Sequence, residues 1–251
     1  MSEVTELKAK NLPTENPTDL NDRSVDSVRS MFSSIAPTYN LVNSVLSFGI
    51  HHRWRKTAVK QSEAPSDAKV LDCATGTGDL AMAFKNHLGP NSHVIATDFC
   101  QEMMDNAPEI ALQMGIQFEQ ADCKNLRFSD HEFDLVSISF GIRNVIPPEE
   151  GIREMWRVLK PGGELFIIEF GRAKSWWMQI VYNFYSTKVI PFVGGLLSKN
   201  KQAYSYLDKS SRQFPCGRDF IKLLRNSAKF KSVEATPLSN GIAYIYRAVK
   251  K

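Results

Sequence analysis

The sequence predicts an α/β fold: a seven-stranded, mostly parallel sheet with helices on both faces. Three observations carry this. Short apolar runs alternate with helical-period segments four times between residues 69 and 170, the pattern of right-handed β-α-β crossovers. The first run leads into VLDCATGTGDLA at Val70–Ala81, where Gly76-x-Gly78 lets a ligand approach the strand end closely. The last two runs are joined through Ser239-Asn240-Gly241, a link suited to antiparallel neighbours. Five parallel strands closed by an antiparallel pair fit these signals better than an all-parallel sheet.

Taken in order, residues 1–21 are polar, carry both signs of charge and read as a disordered tail. Residues 22–251 read as one domain. Its first part, 22–64, reads as a helical lid. Val25, Val28, Met31, Phe32 and Ile35 recur at helical spacing before Pro37 ends that helix. A short helix follows at Tyr39–Leu46, then a turn at Ser47-Phe48-Gly49, then a basic helix at His51–Lys60.

Strands are expected at Lys69–Cys73, His93–Thr97, Ile116–Gln120, Phe133–Ile138 and Glu164–Glu169, with helices at Asp79–His87, Gln101–Gln113 and Glu149–Leu159. Lys160-Pro161-Gly162-Gly163 stops the last of these helices and turns the chain into a strand. Residues 172–214 break the rhythm and read as a helical insert, before final strands at Phe230–Ala235 and Ile242–Val249.

Composition narrows the function classes. The chain has 251 residues, 43% of them hydrophobic and 23% charged, which is enough for one sizeable core. A net charge of +4 does not by itself imply a polyanion partner. Nine Lys/Arg against two acids between Lys199 and Lys231 form either a solvated helical face or a surface for acidic lipid or nucleic acid. Four scattered cysteines without CxxC spacing give no metal or disulfide framework and point to a reducing, cytoplasmic setting. There is no signal-peptide pattern and no apolar run of membrane-spanning length.

Asp98 follows Gly78 by 20 residues at the end of HVIATD, where a parallel α/β fold presents a carboxylate to the hydroxyls of an adenosyl ribose. Gly76–Ala81 formally matches the dinucleotide pattern, so a nicotinamide cofactor is one reading. Two features favour S-adenosylmethionine. Asp72, at the strand end, suits a cationic methionine group and would repel a pyrophosphate, unless it serves only as a turn carboxylate. Gln120-Ala121-Asp122-Cys123 follows the third strand, where such folds contact an adenine.

Four segments together resemble the ubiquinone/menaquinone biosynthesis C-methyltransferases. They are Tyr39–Asn43 with Ser47–His51 and Trp54, Ile138–Val145 (ISFGIRNV), Arg157–Phe170 (RVLKPGGELFIIEF), and Tyr204–Leu207 leading to Phe214-Pro215. The likeness runs from about Ser30 to Val249 and implies the Rossmann-like class I methyltransferase fold. By that resemblance, cofactor contacts fall on Gly76, Thr77, Asp98, Asp122, Cys123 and Ser139. Asn40 stands where the family usually has Asp, His52 where Arg is common, and Cys123 where Ala is frequent.

The resemblance also implies methyl transfer to a ring carbon of a polyprenyl quinol. A neutral quinol carbon is a poor nucleophile; loss of the phenolic proton activates it, and a nearby cation stabilises the phenolate. Arg143 is the expected cation, with His51 and Tyr39 as proton relay or acceptor; each also has a plain structural role open to it. No metal is expected. The nearly all-apolar run from Trp176 to Ile190 suggests a channel wall for a prenyl tail or a lipid-facing surface, against ordinary core or a homodimer seam.

The expected reaction is therefore methylation of demethylmenaquinol in respiratory quinone synthesis, with the benzoquinol of ubiquinone synthesis second. Contact with the inner face of the membrane, or with other quinone-synthesis enzymes, accompanies that reading. An RNA methyltransferase and a non-catalytic cofactor-binding protein are the rivals, but neither stacking aromatics within the basic stretch nor an NPPY-like motif is present.

Overall fold

The computed structural model describes residues 24–251; the expected tail and the first residues of the expected lid, Asp22 and Arg23, lie outside the described residues. Three helices lead: α1 (Val25–Ile35), capped by the Ser24 side chain, α2 (Tyr39–Leu46) and α3 (Ile50–Val59). Pro37 lies in a single 3-10 turn, Ala36–Thr38, between α1 and α2.

Seven strands then form one sheet: β1 (Lys69–Cys73), β2 (His93–Asp98), β3 (Gln117–Gln120), β4 (Phe133–Ser139), β5 (Leu159–Phe170), β6 (Phe230–Leu238) and β7 (Ala243–Lys250). Their order is β3-β2-β1-β4-β5-β7-β6, with β7 antiparallel to both neighbours. The expected class I methyltransferase architecture is present. The strand order reverses between β1 and β4, which leaves a crevice at their carboxyl ends, where open α/β sheets bind ligands.

Helices α4 (Asp79–Leu88), α5 (Gln101–Asp105), α6 (Glu109–Gln113) and α7 (Pro148–Val158) connect the parallel strands. The single helix expected at Gln101–Gln113 is two, because Pro108 has no N–H to donate and turns Ala107 away from helical geometry. The fifth strand begins at Leu159 rather than Glu164, its pairing with β4 interrupted by a register shift at Phe133/Leu135.

Side chains alternate across the sheet. Val70, Leu135 and Phe166 pack towards α3 and α4, and Leu71, Val136 and Ile167 towards α7 and the late helix α11 (Arg218–Ser227). The expectations did not include α11, although Phe220 and Leu224, four residues apart, mark its buried stripe.

The insert holds α8 (Trp176–Phe184), a π turn at Tyr185–Val189, α9 (Ile190–Ser198) and α10 (Lys201–Gln213). Pro191, which lacks an amide donor, sits just beyond the π turn. Among the described residues no helix is long and apolar enough to cross a membrane. Lys201, Lys209, Lys222 and Arg225 ride on the exposed faces of α10 and α11.

Candidate active site

The loop after β1 is shaped by its own backbone. Ala74, Gly76 and Gly78 all have positive φ (45°, 59° and 85°), and a side chain at Gly76 would press on Met103 Cε at 3.2 Å. Asp72 is the anchor. It lies beside Ser137 across the β1–β4 pair, and its two oxygens accept from Ser137 Oγ and Thr75 Oγ1, each at 2.6 Å. Burial pushes its carboxyl up to about 6 against these hydrogen bonds. Asp72 therefore serves the turn, and it does not line the crevice as a cation-binding carboxylate would.

Asp98 ends β2, opposite the loop. Its Oδ2 accepts the Gly76 amide at 2.8 Å and its Oδ1 the Cys100 amide at 2.9 Å. Burial lifts this carboxyl to about 6 as well. Asp98 lines a cavity of about 240 Å³ at the carboxyl ends of the strands, together with Gly76, Asp122, Cys123 and Ser139. Phe32 of α1, Phe99, Met103 and Val145 supply apolar walls.

The residues fit S-adenosylmethionine. The Ser139 hydroxyl is buried, faces the cavity and has no partner, so it is free for a polar ligand. Asp98 keeps lone pairs beyond the two it uses for the loop. Cys123 is buried and its thiol pushed up to about 12 by burial and by Asp122, so it is an uncharged wall. Thr77 has a different place: its hydroxyl donates to Asn40 Oδ1 at 2.7 Å and it does not line the cavity.

A second cavity of about 500 Å³ lies beside the first. Tyr39 and Phe140 line both. Phe140 follows β4 with φ of 57°, a left-handed conformation that a bulky residue keeps only when its surroundings hold it there. Tyr182 and Tyr185 bring the insert to the far wall, and the Tyr185 hydroxyl donates to the Leu46 carbonyl at 2.6 Å.

The three expected catalytic residues come together here. Arg143 lies in a 3-10 turn after β4, 4% exposed, paired with Glu169 at 2.8 Å. It also donates to the Phe140 carbonyl, while its Nε has no acceptor. Glu169, at the end of β5, is lifted above its ordinary range by burial, opposed by Arg143.

His51 is buried, its Nδ1 hydrogen-bonded to Ser47. Burial, Arg55 and His52 lower it to about 4, so at neutral pH it is an uncharged imidazole that relays a proton better than it keeps one. Burial raises Tyr39 above the ordinary phenol value, which leaves it a neutral donor and acceptor.

Sequence reasoning missed Phe140, Glu169 and Arg55. The first depends on a backbone conformation and the second on a partner 26 residues earlier, on the turn that follows the neighbouring strand. Arg55 looked like one of several basic residues on a helix. His51, His52 and Asp79 bring potential ligand atoms within 4.8 Å of one another, but the Arg55 guanidinium, 3.0 Å from Asp79, supplies the positive charge at that spot.

Comparison with known proteins places this geometry. The model of the ubiE/COQ5 methyltransferase family matches residues 18–250. A ubiquinone/menaquinone biosynthesis C-methyltransferase UbiE from Bdellovibrio bacteriovorus is 48% identical over 89% of this chain and 96% of its own. The protein of the same name from Shewanella woodyi is 37% identical over 91% and 92%.

Among solved structures, a SAM-dependent methyltransferase from Thermotoga maritima shares the fold with a TM-score of 0.63 at 21% identity, over 89% of this chain and all of that one. A phosphoethanolamine N-methyltransferase from Haemonchus contortus, solved with S-adenosyl-L-methionine, aligns with a TM-score of 0.56 at 13% identity, over 79% and 52%.

Proposed function

This chain belongs to the ubiE/COQ5 methyltransferase family, as an S-adenosylmethionine-dependent C-methyltransferase of ubiquinone/menaquinone biosynthesis, and from that premise we propose that its acceptor is demethylmenaquinol. The observation that carries this is the second cavity: large, mostly walled by apolar and aromatic side chains, and holding the buried Arg143 beside a wall shared with the cofactor crevice. A fused quinol ring with a prenyl tail fits such a space; a sugar-rich acceptor would leave most of its hydroxyls unpaired against the apolar walls.

The cofactor, when bound, supplies an electrophilic methyl group; Gly76, Asp98, Asp122, Cys123 and Ser139 would hold it. The chain's own residues do the rest. Arg143, itself buried, places a positive charge where the acceptor hydroxyl becomes a phenolate. Neutral His51 and Tyr39 receive and pass on the phenolic proton. Phe140 and Tyr39, at the boundary of the two cavities, orient the ring towards the donor.

The exposed apolar face of α8 supports peripheral membrane contact at the cytoplasmic side. Trp176 is 74% and Trp177 52% exposed, with Phe184 and, in the α2–α3 turn, Phe48 also outward. Lys174 and Lys188 are exposed at either end of α8, suited to anionic headgroups.

Assay of the purified protein with demethylmenaquinol and with 2-polyprenyl-6-methoxy-1,4-benzoquinol tests the reading. Mass spectrometry should find one added CH2 on the naphthoquinol, with higher kcat/KM than on the benzoquinol. The reverse preference would move the protein to the ubiquinone branch, and no transfer to either would end the quinol reading.

A further inference from the structure

The acceptor cavity holds a second buried guanidinium that the scheme above does not use. Arg55, on α3, is 8% exposed and lines the cavity. Its Nη1 lies 3.0 Å from Asp79 Oδ2, close enough for charge attraction but not aligned for a hydrogen bond; neither Nη1 nor Nε has an acceptor. A buried N–H without a partner is costly, and an arginine with two such groups in the wall of a cavity is suited to an oxygen ligand.

The arrangement is two-sided. Arg143 Cζ lies 5.5 Å from the centre of the Phe170 ring, and Arg55 Cζ lies 6.0 Å from that of Phe140. These two rings are neighbours, 4.5 Å apart between centres and tilted by 34°. Both guanidiniums thus lie beside one aromatic pair in the cavity wall, each with an unused buried N–H. A ring in the cavity with oxygens at opposite corners can address both.

We propose that Arg55 forms a second oxygen subsite, which selects acceptors oxygenated at both para positions. Arg143 takes the hydroxyl adjacent to the carbon that is methylated, and Arg55 donates to the oxygen across the ring. The inference rests on the quinol reading and deepens it. Asp79 keeps Arg55 in place, and Phe140 and Phe170 wall the cavity beside the two cations.

The test compares a short-chain prenyl 1,4-naphthoquinol with the matching prenyl naphthol that keeps only the hydroxyl next to the accepting carbon. Wild type, Arg55→Met and Arg55→Lys are assayed for kcat/KM, and both acceptors are titrated by quenching of tryptophan fluorescence, Trp54 lying in the cavity wall. Wild type should prefer the quinol by about 10- to 100-fold, the range for hydrogen bonds to a charged group.

In Arg55→Met the ratio should fall towards one in both turnover and binding, with partial recovery in Arg55→Lys. An equal loss on both acceptors would make Arg55 a structural residue, and an unchanged ratio would remove it from recognition; either overturns the subsite. Failure of wild type to methylate either acceptor would instead overturn the quinol reading, and the subsite with it.

Discussion

The Thr77 hydroxyl donates to Oδ1 of Asn40 at 2.7 Å, tying the glycine loop to the helix that begins with Tyr39. A second tie, Arg55 to Asp79, joins α3 to the first turn of α4. The N-terminal helices are thus fastened to the loop beneath the cofactor crevice. Thr77→Val and Asn40→Ala should each lower cofactor affinity several-fold, and a double-mutant cycle on stability should show coupling of about 0.5–1.5 kcal/mol. Asn40→Asp keeps the acceptor and should behave as wild type in calorimetric titration. Strict additivity in the cycle would mean the bond has no energetic role.

Removing one partner of the buried Arg143–Glu169 pair leaves an uncompensated charge. Arg143→Ala should cost about 3–5 kcal/mol of stability, so its loss of turnover would be ambiguous alone. The double variant Arg143→Met/Glu169→Met should recover most of that stability yet remain at least a hundred-fold slower in methyl transfer, with cofactor affinity little changed. Denaturant unfolding and single-turnover rates decide this. Near-wild-type turnover in the stable double variant would exclude Arg143 from catalysis.

Ser139 offers a cleaner probe of the crevice. Its hydroxyl is buried without a partner, so Ser139→Ala should leave thermal stability unchanged or slightly raised. Cofactor affinity should fall by about 0.5–1.5 kcal/mol, the worth of one neutral hydrogen bond. Isothermal titration against wild type measures both the sign and the size.

The raised carboxyl of Asp98 has a defined pH signature. Its native pKa of about 6 lies above the unfolded value near 3.9, so the native state holds the proton more tightly. That stabilisation is present below pH 4 and is lost as pH rises through 6, an effect of up to ~3 kcal/mol by linkage. Asp72, raised likewise to about 6, adds to this effect and His51, lowered to about 4, opposes it over the same window, so the wild-type profile alone mixes the three. Asp98→Asn removes one contribution. Its stability relative to wild type should improve steadily from pH 4 to pH 6.5, and a constant difference across that window would contradict the assignment.

Trp176 and Trp177 have most of their rings in solvent, so replacing both with Ser should leave the melting temperature within about 2 °C of wild type. Binding to vesicles containing anionic lipid should drop by at least ten-fold in sedimentation, while soluble short-chain quinols are still methylated. Undiminished vesicle binding would place any lipid contact elsewhere on the surface.

The parallel core was legible because apolar runs, glycine turns and the helical period agree along most of Lys69 to Ser139, the helix broken at Pro108 being the exception. Gly76, Asp98, Asp122, Cys123 and Ser139, named through the family resemblance, line one cavity because topology brings strand ends together. What the residues did not announce was tertiary. Thr77 looked like a ligand contact, but its partner, Asn40, comes from a helix 37 positions earlier. Asp72 reads first as an acid for the cofactor's cationic end and second as a turn carboxylate; its bonds to Thr75 and Ser137 tie it to the turn. Phe140 owes its place to a left-handed backbone that no side-chain pattern encodes.

The shared wall of Tyr39 and Phe140 has a kinetic meaning. Residues of α1 line one chamber and residues of α8 the other, so the water-soluble donor and the greasy acceptor have separate places on either side of that wall. Spent donor can be exchanged from solution while the next isoprenoid molecule is already seated, and initial-rate patterns should intersect, as in a random bisubstrate scheme.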